Sequence, residues 1–193
     1  MPAQKHTRLF TITAICVLLA GSFWLPSNPI YTIWNKYKPA SAQNYSPAEV
    51  LDKVNIARLK LNLKPLRFQP QLQKAADKKA RDMSNRNYFS HISPYDGIKW
   101  SDFINNENYD YTTAGENLAK DYDSTTEVID AWMQSPDHRK NIENGSYTDT
   151  GISVYKGQLG GKRTMIVVQE FGSQSWRKLK NSFLYNGLDS ACK

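Results

Sequence analysis

Two cysteines are all that the 193 residues contain. Cys16 lies in an apolar N-terminal run and Cys192 is next to last, so no stabilising disulfide is available within a domain. The fold must hold by its core. Acidic residues are missing from residues 1–42, where Lys5, Arg8, Lys36 and Lys38 are the only charges. Those four account for more than half of the net charge of +7, and 21 basic against 18 acidic residues remain. Such a mixed surface excludes the concentrated basic face of a nucleic-acid binder. Internal repeats and low-complexity tracts are absent. So are a Gly-x-Ser-x-Gly nucleophile elbow and any cysteine in the body of the chain, which leaves no serine-hydrolase or thiol-protease signature.

What is present begins with Leu9 to Leu25, uncharged and largely apolar. A bilayer core of about 30 Å needs roughly 20 helical residues. Ile30, Tyr31, Ile33 and Trp34 extend the run, and Trp24, Tyr31 and Trp34 suit an interfacial belt. The competing reading is a cleavable signal peptide with Lys5 and Arg8 as its basic start. No small-x-small site follows Leu25 at the usual distance, and Ala40-Ser41-Ala42 lies too far on. Ile15 precedes Cys16 where a lipoprotein signal would place a small residue. We therefore read residues 1–8 as a short basic start and 9–34 as a transmembrane anchor. The bulk of the chain is expected outside the cytoplasm, with secretion after cleavage as the alternative.

Residues 35–45 read as a polar linker. Ser46-Pro47-Ala48-Glu49 then supplies N-cap, N1 and N3 of a helix carrying Val50, Leu51, Val54, Ala57 and Leu61 at helical spacing. Leu63 to Phe68 is a short extended connection. A second helix is expected from Pro70 to Arg86, with Leu72, Ala75, Ala76, Ala80 and Met83 buried and Lys74, Lys78 and Arg81 solvated. Residues 94–97 form a Pro-Tyr-Asp-Gly turn, Ile98 to Asn106 a short helix, and residues 107–113 a polar loop. Ser124-Thr125-Thr126-Glu127 is a second capping box, opening a helix that buries Val128, Ile129, Trp132 and Met133. A Ser135-Pro136 turn carrying His138 follows. Gly151 to Lys156 and Thr164 to Phe171 read as an antiparallel hairpin around the turn at 157–161. Helices first and strands last argue α+β, with helices on a small antiparallel sheet. The domain is placed at 46–172, and residues 173–193 are a basic, partly aromatic C-terminal tail.

His91 and His138 both lie in turns rather than on apolar faces, and Glu116 sits between Gly115 and Asn117. Imidazole titrates near neutrality and ligates metals, so two histidines so placed are candidates for chemistry. Singly, each of the three reads as an ordinary hydrogen-bonded or surface residue.

Their order changes that. Phe89-Ser90-His91, Ala114-Gly115-Glu116-Asn117 and Ala131-Trp132-x-x-Ser135-Pro136-x-His138-Arg139 are followed by Thr150-Gly151-Ile152 and Val168-Gln169-x-Phe171-Gly172. This set resembles the CAP superfamily (cysteine-rich secretory proteins, antigen 5, pathogenesis-related 1) in its disulfide-free bacterial form. The resemblance implies an α–β–α sandwich with a cleft lined by two histidines and two acids. His91, Glu116 and His138 match three of them. The second acid, three residues after the tryptophan, is replaced here by Ser135. Glu127 is no substitute, because its capping role accounts for it.

The expected function is a membrane-tethered binding module whose cleft takes a small ligand, a lipid, a cell-wall component or a divalent metal such as zinc. His91, His138 and Glu116 are the candidate metal ligands. The alternative is a metal-assisted hydrolase acting on peptides or cell-wall material, with the same three residues as its candidate centre. Ser90, Ser93 and Ser135 are assigned to turns and caps.

Overall fold

The computed structural model describes residues 45–174, so the anchor, nearly all of the linker and most of the C-terminal tail lie outside the described residues. Helix α1 (Pro47–Leu59) starts on the expected capping box, with the Ser46 hydroxyl accepting from the Glu49 N–H and the Glu49 carboxylate taking the Ser46 N–H at 2.7 Å. It ends two residues earlier than the spacing of Leu61 predicts. Lys60 is the C-cap and Asn62 turns left-handed (φ 58°), so Leu61 falls beyond the helix and is exposed. Strand β1 (Arg67–Phe68) leads into α2 (Pro70–Asn85), followed by α3 (Trp100–Asn106), β2 (Tyr111–Lys120), α4 (Thr125–Gln134), α5 (Pro136–Ile142), β3 (Asp149–Leu159) and β4 (Lys162–Gln174).

The sheet order is β1-β3-β4-β2. The expected hairpin is the antiparallel pair β3/β4, and β2 also pairs antiparallel with β4. Two expectations need correction. β1 runs parallel to β3, so the sheet is mixed rather than purely antiparallel. The stretch from Tyr111, read as loop, begins a ten-residue strand. Its polar, tyrosine-rich start obscures the pattern, and pairing with the end of β4 overrides local preference.

Helices cover both faces of the sheet. On one face α2 contributes Ala76, Ala80 and Met83 against Leu118, Ile166 and Val168. On the other, Val50, Val54, Val128 and Trp132 from α1 and α4 meet Met165, Val167 and Phe171. Coverage on both sides explains why residues 164–172 are buried without alternation, as expected of a central strand. Gly151 is required by this layering. A Cβ there would stand 2.1 Å from the backbone of Leu72 and Gln73, where α2 crosses β3.

Among the described residues, the outer edge of β2 has no neighbouring strand and is met by side chains instead. Tyr147 Oη donates to Ala114 O at 3.0 Å, Asn141 Nδ2 to Glu116 O at 3.0 Å, and Trp132 Nε1 to Leu118 O at 3.0 Å. Alternate carbonyls of one edge are thus met from α4, α5 and the loop after α5. This protects an edge that would otherwise recruit another strand. Arg58 secures the same region from α1. Fully buried, it donates to the carbonyls of Lys64, Ile142, Asn144 and Tyr147 at 2.7–3.1 Å.

Candidate functional site

Glu116 lies in the middle of β2, with its side chain turned to the α2 face and wholly buried. His91 follows α2 in a loop closed by the Ile92–Lys99 bridge and by the Trp100 N–H donating to His91 O at 3.0 Å. Gly97, at φ 72°, makes the expected turn between the two arms. The two side chains meet: His91 Nδ1 and Glu116 Oε1 are 2.6 Å apart, with the imidazole 49% exposed and the carboxylate 0% exposed. The geometry is that of an accessible base oriented from behind by an acid.

His138 sits in the first turn of α5, a short helix where a turn was expected, and is half-buried. It reaches the pair indirectly. Asn117 Nδ2 donates to His138 O at 3.1 Å, while Asn141 Nδ2 donates to Asn117 Oδ1 at 2.9 Å and to Glu116 O. Burial holds the His138 imidazole below its ordinary pKa, and the charge of His91 pushes it the same way against the opposing effect of Asp137. His138 therefore favours the neutral form, able to accept a proton or a cation.

The structure also supplies an acid that the motifs did not indicate. Glu170 on β4 is the direct cross-strand partner of Glu116, is fully buried, and points to the same face. Burial first, and the neighbouring Glu116 second, raise its carboxyl well above the usual range. Burial also raises Glu116, opposed by the His91 bond and by Lys79. No other group donates to the Glu170 oxygens or to Glu116 Oε2, and the two carboxyls hydrogen-bond to each other, an arrangement that needs a proton on one of them. The sequence signal for Glu170 is an acid inside the apolar run of residues 164–171. For Lys79, also buried here, it is a lysine on the stripe of Leu72, Ala76 and Met83.

The remaining candidates do not join the cluster. Ser90 Oγ donates to Ile92 O, and Ser93 Oγ accepts from the Tyr95 N–H at 3.4 Å. Ser135 joins α4 to α5 and makes no side-chain cap bond. Ser124 Oγ caps α4 by accepting from the Glu127 N–H, but the Glu127 carboxylate takes the N–H of Asp123 at 2.9 Å, one residue before the N-cap, in place of the Ser124 N–H that the expected capping box would use. Because Glu116 Oε1 is taken up by His91, the carboxylate supports an imidazole in this arrangement. Among the described residues, no group of three or more His, Cys, Asp or Glu is placed to hold a metal ion.

The family described as CAP, cysteine-rich secretory protein family, matches residues 51–171. The chain belongs to this family. Its CAP domain is 39% identical over 130 residues to the uncharacterized protein YkwD of Bacillus subtilis (strain 168), covering 64% of this chain and 50% of that protein. It is 34% identical over 113 residues to the uncharacterized membrane protein YlbC of the same organism, covering 58% of this chain and 32% of YlbC. The chain thus spans half or less of the length of these relatives. Among solved structures, an extracellular SCP-domain protein of Bacillus anthracis superposes with a TM-score of 0.58 at 30% identity, over 66% of this chain and 40% of that one. An outer surface protein of Borrelia burgdorferi shares the fold, with a TM-score of 0.59 at 23% identity over 65% of this chain and 90% of its own. Gly115, next to Glu116, has no room for a side chain: a Cβ there would collide with Tyr147 Oη at 2.4 Å, the hydroxyl that closes the strand edge.

Proposed function

We propose that this CAP-domain protein is an extracytoplasmic binding module, tethered through residues 9–34, with His91, Glu116 and His138 as the polar centre of its cleft. The observation that carries this reading is the 2.6 Å contact between the half-exposed His91 and the wholly buried Glu116. The carboxylate is out of a ligand's reach and acts by orienting the ring, which leaves the imidazole as the recognition group. A small polar ligand, a lipid headgroup or a cell-wall fragment can be met in this way. So can a divalent cation such as zinc, with His91 and His138 as ligands and Glu116 supporting His91 from behind. Zinc ordinarily takes four protein ligands, or three with a water in the fourth place, so this pair would leave two positions for water or ligand. The tether is supported by the uncharged run from Leu9 to Leu25, and by relatives described as an extracellular SCP-domain protein and a membrane protein.

A second reading, metal-assisted hydrolysis of peptides or cell-wall material, is favoured by the same His–Glu pair, since an oriented imidazole is also a general base. A bound cation would supply an activated water. Binding and hydrolysis separate in one set of measurements. The full chain and a His91→Ala/His138→Ala variant are titrated calorimetrically with zinc, manganese, calcium and soluble cell-wall fragments, then incubated with casein and purified cell wall. We expect heat that disappears in the double variant and no turnover. Heats unchanged by the substitutions would remove the site. Turnover abolished by Glu116→Ala would replace the binding reading with the hydrolytic one. Fractionation tests the tether, because protein recovered wholly in the medium would mean that residues 9–34 are cleaved.

A further inference from the structure

Lys79 is the one lysine of α2 that faces inward. It has no exposure and stands among Ala76, Ala80 and Met83, while Lys74 and Lys78 point to solvent. An ammonium in that position is tolerated only if its protons are met and its charge is answered. Nζ donates to Ser90 O at 2.9 Å and to His91 O at 3.3 Å, and lies 3.3 Å from Tyr88 Oη. The rings of Tyr88 and Phe103 flank it at 5.0 and 5.4 Å. The charges that face it are those of Glu116, Glu170 and Asp82. Every hydrogen-bond acceptor of this buried cation therefore belongs to residues 88–91, the segment that delivers His91.

We infer that Lys79 is a positioning residue of the cleft, gripping the carbonyls of Ser90 and His91 so that the imidazole stays in register with Glu116. Charge balance alone would need a cation near the two acids. It would not need donors aimed at the backbone on either side of the His91 peptide. The inference rests on the reading of His91 and Glu116 as the working pair, but it predicts a property of the unliganded protein.

That property is the hydrogen bond between His91 Nδ1–H and the buried carboxylate, observable in the full chain by NMR as a downfield ring proton in slow exchange with water. Lys79→Met removes the donors but leaves two buried acids without their cation. Lys79→Met/Glu170→Gln removes one acid with the cation, and this double variant carries the decision. The indole N–H of Trp132, bonded to Leu118 O elsewhere on β2, reports that the sheet is intact. With that signal unchanged, we expect the His91 proton of the double variant to exchange roughly tenfold or more faster, the scale of one lost charge-assisted hydrogen bond. Wild-type exchange at His91 in the folded double variant would overturn the inference and leave Lys79 as a counter-charge only. Failure of the ligand titrations alongside an altered His91 signal would overturn the binding reading while supporting this one.

Discussion

Asn141 joins α5 to β2, and replacing it should loosen α5, which carries His138, from the strand while leaving the His91–Glu116 bond in place. Its Nδ2 donates to Glu116 O and to Asn117 Oδ1 at 3.0 and 2.9 Å, and Asn117 extends the link by donating to His138 O at 3.1 Å. Asn141→Ala removes two neutral hydrogen bonds, each contributing about 1 kcal/mol. It also strips the donor from Glu116 O on the strand edge, at a cost of about 1 kcal/mol where water can partly enter a half-buried position. The expected loss is therefore about 3 kcal/mol, or a fall in Tm of roughly 10 °C for a domain of this size.

Asn141→Asp makes a sharper test. Its carboxylate would face a carbonyl and the Asn117 oxygen, whose orientation is set because the Asn117 amide donates to His138 O. Only the protonated acid can donate there, so its folded pKa must rise above the unfolded value of about 3.9. The aspartate penalty relative to alanine is then small near pH 4 and grows as pH rises toward 7. Urea denaturation followed by tryptophan fluorescence at both pH values measures it. An alanine variant within about 0.5 kcal/mol of wild type, the range of ordinary surface changes, would refute the proposed edge closure. A pH-independent difference between the aspartate and alanine variants would refute it as well.

Glu170→Gln should make the protein more stable than wild type at pH 8 and remove that advantage near pH 4. The raised carboxyl of Glu170 means that the folded state binds more protons, so wild-type stability falls as pH rises above the unfolded glutamate value; denaturation at the two pH values reads the difference. Arg58→Met leaves the carbonyls of Lys64, Ile142, Asn144 and Tyr147 without their donor and should cost more than about 3 kcal/mol, seen as a lower urea midpoint at an unchanged slope. Gly151→Ala drives a Cβ into the backbone of α2 and should cost about 3 kcal/mol or more. Gly160→Ala, in open space at φ 58°, should cost only the left-handed strain of about 1–2 kcal/mol, a contrast that thermal melts of the two variants can measure.

The elements legible beforehand are those whose signals are local. Ser46 with Glu49 caps α1, Pro70 opens α2, and the periodic Leu72, Ala76, Ala80 and Met83 are all buried as their spacing predicts. Ser124 and Val128 to Trp132 give α4 in the same way. The beginning of β2 was not legible, because a strand is completed by its partner, and Tyr111 and Thr113 pair with Gln174 and Ser173 at the far end of β4, about sixty residues further on. The parallel pairing of β1, only two residues long, was hidden for the same reason.

The site divides along the same line. His91, Glu116 and His138 could be named from the resemblance of the ordered motifs to the family, which also implies an acid at the position held here by Ser135. Motif order carries no distances. The register of β2 on β4 brings Glu170 opposite Glu116 and so supplies a buried acid from another part of the chain. Helix α2, packed on that face, turns Lys79 toward the His91 loop, and the side chains that close the β2 edge tie His138 to Asn117. Composition and local spacing determined the helices, the hairpin and the missing disulfide, because each depends on neighbours within a few positions, while the three candidate site residues came from the resemblance of the ordered motifs to the family. Which groups share a proton, which imidazole is oriented and which lysine is buried were decided by the tertiary structure alone, because those properties depend on long-range register and on the exclusion of water.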